Sequence, residues 1–127
     1  MSKKAIQTEN APKAIGPYSQ AILSGSYLFC SGQIPLNPQT MQIESQDIRL
    51  QTQQVLKNLK AVIEAAGGKM DKVVKTTVFL TDLKNFEVFN KEYDAFFGQG
   101  TPPARSTIEV SALPKAALVE IEAIVVI

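Results

Sequence analysis

Apolar positions along the chain follow two rhythms. Val55, Leu56, Leu59, Val62, Ile63 and Ala66 recur at helical spacing, with Gln53, Lys57, Lys60 and Glu64 between them. This is the pattern of a long amphipathic helix laid against a sheet. Asp47 stands where an N-cap belongs, and Gly67-Gly68 stops the run. A second helix follows a turn capped by Asp82, and its stripe is aromatic: Phe86, Phe89, Tyr93, Phe96 and Phe97, closed by Gly98 and Gly100. Aromatics at that spacing are more often core than a stacking platform for bases.

The remaining apolar runs are short and rich in strand-forming residues. Residues 5–8 predict a short edge strand. Residues 18–22 and 27–31, separated by Ser24-Gly25-Ser26, predict a hairpin. Residues 73–80 predict a strand with Val74, Thr76, Val78 and Leu80 on one face. After Pro102-Pro103 an extended run places Arg105, Thr107 and Glu109 on one face and Ser106, Ile108 and Val110 on the other. Residues 111–117 read as a hairpin loop. The last strand, 119–127, is apolar throughout on one face and for half its length on the other, which marks it as central. The order β-β-β-α-β-α-β-β gives an α+β fold with two helices on one face of a sheet.

Composition narrows the chemistry. The chain has 127 residues, the length of a single domain spanning 1–127, with 45% hydrophobic and 20% charged residues and a net charge of +1. That balance offers no global attraction for nucleic acid or anionic lipid. One cysteine, Cys30, excludes an internal disulfide and supplies no zinc spacing. Without a thiolate-activating partner it reads as a small hydrophobe. There is no histidine, which excludes Ser-His-Asp and Cys-His triads, HExxH zinc sites and imidazole proton shuttling. Acid/base work falls to carboxylate, tyrosine, lysine or water. No apolar run approaches the ~20 residues that span a bilayer, and no signal-peptide core opens the chain, so a cytoplasmic protein is expected.

Arg105 is the group to explain. Its planar fork suits a carboxylate or phosphate, and the alternative is an exposed strand arginine paired with a glutamate. An antiparallel pairing of the last two strands about a symmetric turn would set Arg105 directly opposite Glu120, one register among several. Glu120 and Glu122 then emerge either into a polar cleft or into solvent. Gly32, at the end of a strand, permits either a close approach of backbone to a ligand or a bulge. Asn90 falls between stripe positions and by itself decides nothing.

Five segments bring these residues together: Gly16-Pro17-Tyr18-Ser19-Gln20-Ala21, Ser31-Gly32-Gln33-Ile34-Pro35, Lys75-Thr76-Thr77-Val78, Pro103-Ala104-Arg105-Ser106 and Val119-Glu120-Ile121-Glu122-Ala123. In this order and spacing the chain resembles the Rid family, the reactive intermediate deaminases or YjgF-type proteins. The resemblance implies a chorismate-mutase-like α+β fold, assembled as a homotrimer around a central β-barrel with sites between subunits. It implies hydrolysis of 2-imino acids and their enamine tautomers to 2-keto acids and ammonia, clearing intermediates released by pyridoxal-phosphate enzymes. The family's catalytic set falls on Arg105, Glu120 and Tyr18. Arg105 would hold the substrate carboxylate, Glu120 would position the attacking water, and the Thr107 backbone would contact the imine nitrogen or water. Ser31, Gly32 and Asn90 would line the pocket, with Tyr18 contributed across the interface and no metal or cofactor required. The partner is then a small imino or keto acid rather than nucleic acid or membrane; a ribonuclease reading fits neither the charge nor the absence of histidine. A trimer that binds small carboxylates without turnover is the alternative. Two positions depart from the family: Thr107 stands where many relatives have cysteine, and Met41 where glycine is common, which predicts a different loop conformation there.

Overall fold

A computed structural model describes residues 2–127. Six strands and two α-helices follow the predicted order: β1 (Lys3–Ile6), β2 (Ala21–Ser24), β3 (Tyr27–Gln33), α1 (Ile48–Ala65), β4 (Val73–Leu80), α2 (Phe86–Phe97), β5 (Ala104–Glu109) and β6 (Val119–Val126). The strands form one mixed sheet in the order β1-β2-β3-β6-β4-β5. Both helices pack on the same face, where Leu28, Val78, Leu80, Val119, Ile121 and Val125 of the sheet meet Val55, Leu56, Leu59, Val62, Ile63 and Phe89 in a solvent-excluded core.

Helix α1 forms as its sequence dictates. Asp47 accepts a hydrogen bond from the Arg49 backbone N–H at 2.8 Å, satisfying one of the free donors of the first turn. The chain leaves the helix through Gly67 at φ 81°, and the Gly68 N–H closes back on Ile63 O at 2.9 Å. The β2–β3 hairpin turns at Gly25, φ 60°, with Ser24 opposite Tyr27.

Several expectations are corrected. The first strand lies at Lys3–Ile6 rather than 5–8, and the second begins only at Ala21. Tyr18 is held outside the sheet because its N–H bonds Gly16 O at 2.9 Å in a tight turn. Val74 is not on the core face with Thr76: a register shift between Val73 and Lys75 against β6 turns it out to solvent. The largest correction concerns the last two strands, which are not neighbours. β5 pairs with β4 in parallel at the sheet edge, and β6 lies between β3 and β4, antiparallel to both. Residues 110–118 are therefore no hairpin loop; they carry the chain past the end of β4, with Val110 N–H on Leu80 O and Thr81 N–H on Leu118 O. The expected centrality of β6 is what the sheet order shows.

The loop from 35 to 45 folds as a small turn closed by a Leu36–Ile43 bridge, and Met41 sits in it at φ 57°. The left-handed conformation that glycine adopts without strain is present here with a methionine in it.

Candidate functional site

The polar groups singled out in the sequence divide between the two faces of the sheet. On the helix face, β5 presents Arg105 and Thr107. Arg105 is level with Thr76 of β4, which in turn is level with Ala123 of β6. Its guanidinium carbon lies over the rings of α2, 4.7 Å from the centroid of Tyr93, 5.6 Å from Phe86 and 5.8 Å from Phe89. No carboxylate pairs with it. Among the described residues the ion pair within 4.0 Å is Arg49–Asp47, at 3.9 Å. Glu109, the glutamate on its own strand, instead accepts the Leu83 backbone N–H at 2.9 Å. The surface-ion-pair reading of Arg105 therefore fails for this chain.

Arg105 lines a cavity of about 470 Å³ together with Asn90, Asp94, Phe97, Pro102 and Pro103. Asn90 Oδ1 and Thr107 Oγ1 are both enclosed and without a hydrogen-bond partner. Buried oxygens left unmatched are costly, by about 1–3 kcal/mol each. The open guanidinium fork in this cavity is suited to a small anionic ligand.

The second group gathers around the β3–β6 pair. The register slips between Cys30 and Gln33, so Ser31 and Gly32 occupy a bulge. Ser31 donates its hydroxyl to Ser19 O at 2.6 Å and its N–H to Gln20 O at 3.0 Å. Glu120 lies directly on Gly32: a Cβ there would coincide with Glu120 Oε2. Of the two readings of Gly32 the register shows the bulge, and the bulge admits the Glu120 side chain. Burial, and then the charge of Glu122, push the Glu120 carboxyl above the ordinary carboxylate range. Tyr18, half exposed, accepts the Ile15 N–H on its phenol oxygen at 3.3 Å. With Ser31, Gly32, Glu120, Lys13 and Lys115 it borders a cavity of about 440 Å³. The buried amide of Gln20 holds this wall, accepting the Thr8 N–H at 2.8 Å and donating to Thr8 O and Pro12 O at 3.0 and 2.8 Å.

Arg105 and Glu120 are not opposite each other. Glu120 is level with Phe79 of β4, which is level with Ile108 of β5, so the two lie three residues apart along the sheet. They also occupy opposite faces, since Thr76, Val78 and Leu80 are buried under the helices while Phe79 alternates away from them. One chain brings together Arg105, Thr107 and Asn90, and separately Tyr18, Ser31, Gly32 and Glu120. Cys30 joins neither group: it is a core residue whose thiol burial pushes up to about 12. Sequence reasoning missed the rings beneath Arg105, because their spacing is also that of a core stripe, and the lysines bordering the Glu120 cavity, which no local pattern marks.

Comparison with known proteins extends over nearly the whole chain. The model of the family described as Endoribonuclease L-PSP matches residues 8–127. A protein of Escherichia coli K12 named 2-iminobutanoate/2-iminopropanoate deaminase is 51% identical over 125 residues, covering 97% of each chain. A solved structure of a conserved Rid-family protein from Yersinia pestis superposes with a TM-score of 0.97 at 54% identity, covering 99% of this chain and 100% of that one. That of E. coli TdcF with bound serine superposes with a TM-score of 0.94 at 47% identity, covering 98% of each. Family profile, curated relative and solved structures agree, and the chain belongs to the Rid proteins of the L-PSP family.

Proposed function

We propose that this protein hydrolyses 2-imino acids such as 2-iminobutanoate and 2-iminopropanoate, with their enamine tautomers, to 2-keto acids and ammonia. The observation that carries the reading is the Arg105 guanidinium, which faces a cavity without a protein carboxylate to neutralise it. Arg105 binds the substrate carboxylate bidentately. Asn90 lines the pocket and the Thr107 backbone contacts the imine nitrogen or water. Glu120 orients water and takes its proton as the oxygen adds to C2. That proton returns to nitrogen, and as the C–N bond of the carbinolamine breaks Glu120 takes the remaining hydroxyl proton, leaving the ketone; the proton departs with ammonia as ammonium. A protonated imine is already electrophilic, so orientation and one carboxylate suffice. The relative named as a deaminase supports the substrate class, and the bound serine in TdcF supports a site of amino-acid size.

Because the two groups lie on opposite faces of one sheet, a complete site draws Arg105, Thr107 and Asn90 from one copy and Tyr18, Ser31, Gly32 and Glu120 from another. The open sheet face is suited to such an assembly. Tyr27, Phe29 and Ile108 are 49%, 46% and 46% exposed there, an apolar surface that a homotrimer with a central barrel would cover. We place the reaction in the cytoplasm, beside pyridoxal-phosphate enzymes that release imines.

The test is Arg105→Ala, assayed by release of 2-ketobutanoate beside a threonine dehydratase. Loss of at least a hundredfold in rate is expected; a folded variant with wild-type turnover would remove Arg105 from the mechanism. Carboxylate binding without turnover in the wild type would favour a sensor. RNA cleavage, which the family description suggests, is disfavoured by a net charge of +1 and the absence of histidine.

A further inference from the structure

Three aromatic rings surround one guanidinium. Tyr93, Phe86 and Phe89 lie 4.7, 5.6 and 5.8 Å from Arg105 Cζ, at positions of α2 that share the face turned to β5. The closest ring is fixed from within the core. The Tyr93 and Thr76 hydroxyls are 2.7 Å apart, and Thr76 is the β4 residue level with Arg105. Tyr93 also packs on Phe89 and Phe97, with centroids 5.5 and 4.6 Å away. The strand that delivers the arginine is thus tied, through its neighbour, to the ring over which the arginine lies.

An aromatic face attracts a guanidinium through its quadrupole but offers no strong acceptor to the five N–H donors. A carboxylate would hold the arginine more firmly and occupy its fork, so that an incoming anion would have to displace it. Asp94 lines the same cavity with its Oδ1 lying over Gly98, and it makes no ion pair with Arg105. Burial raises the Tyr93 phenol above its ordinary range, against the lowering by its Thr76 hydrogen bond and the Arg105 charge.

We propose that Tyr93, fixed by Thr76 and flanked by Phe86 and Phe89, is a positioning residue that holds Arg105 in place and unpaired for an incoming small carboxylate, in the role an internal counter-ion would otherwise fill. This rests on the reading of Arg105 as the carboxylate anchor.

The test is calorimetric titration with 2-ketobutanoate, alongside the Arg105 Nε–H resonance. In the wild type that resonance is expected to carry a ring-current shift from the rings beneath it. Tyr93→Leu is expected to weaken binding about tenfold and to return the resonance toward its ordinary position. Tyr93→Phe, which keeps the ring, recovers most of both. A folded Tyr93→Leu that binds as the wild type does, or a Tyr93→Phe as impaired as Tyr93→Leu, overturns the inference and leaves the anchor role standing. A wild-type protein that binds no keto acid overturns both. Should Tyr93→Leu fail to fold, Tyr93→Met, which removes the ring and keeps a long apolar side chain in the core, decides: unaltered affinity with an unmoved resonance overturns the inference.

Discussion

Glu120 occupies space that only glycine can leave open. Gly32→Ala would drive a methyl into its carboxylate, so the side chain must rotate or β3 must shift. A stability loss of about 1–3 kcal/mol with a disproportionate fall in turnover is expected from paired urea-unfolding and deamination assays. The raised pKa of Glu120 has two consequences. As the base of the proposed reaction it must be ionised, so the acid limb of the pH–rate profile should lie above the ordinary carboxylate range. Glu122→Gln removes a charge that raises it, and should move that limb to lower pH. For stability the sign reverses relative to an ion-paired acid. The protonated form is the one the fold favours, so its contribution is complete below the unfolded-state pKa and is lost as pH rises through the folded-state value. Glu120→Gln should therefore raise the melting temperature at neutral pH while abolishing turnover. These residues were legible unequally. Arg105 stood out through its two prolines and its sequence context. Gly32 left two readings open, because contact with a strand far along the chain decides between them. The rings under Arg105 were hidden, since burying an aromatic and presenting it to a cation demand the same helical spacing.

Elements whose burial follows from a local period were readable from sequence. Helix α1 runs from its Asp47 cap to its glycine stop, and β4 spans Val73–Leu80 as its β-branched content predicts. Strand neighbours were not readable in the same way. β6 shows by its two-sided apolar pattern that it is central, yet nothing within 110–118 says whether the chain turns back beside β5 or passes the end of β4. That choice belongs to which strands the helices leave uncovered. The 35–45 turn illustrates a local conflict that tertiary structure overrides. Met41 is held at φ 57°, at a cost of about 1–2 kcal/mol for a side-chain-bearing residue, partly offset in any glycine variant by the greater freedom of the unfolded chain. Met41→Gly is accordingly expected to stabilise the protein by about 0.5–1 kcal/mol, read as a higher urea midpoint at unchanged slope.

At the scale of the molecule, the division of polar groups between two faces makes a strong prediction. Arg105→Ala and Glu120→Gln variants should each be inactive alone. Unfolded together in equal amounts and refolded, they should recover about a quarter of wild-type activity, because that fraction of randomly assembled interfaces joins an intact arginine to an intact glutamate. No recovery from a mixture shown to co-assemble would mean that both groups act within one chain, against the sheet register described above.

The same register also bears on how such an enzyme would behave in dilute solution. With Arg105 and Glu120 turned away from each other across a single sheet, an isolated chain would, under the proposed mechanism, hold two incomplete halves and no reaction centre. Specific activity then becomes a reporter of association and declines below the concentration at which subunits separate. A substitution at Phe29 or Ile108, far from any substrate atom, would present in a kinetic assay as a fault in the chemistry.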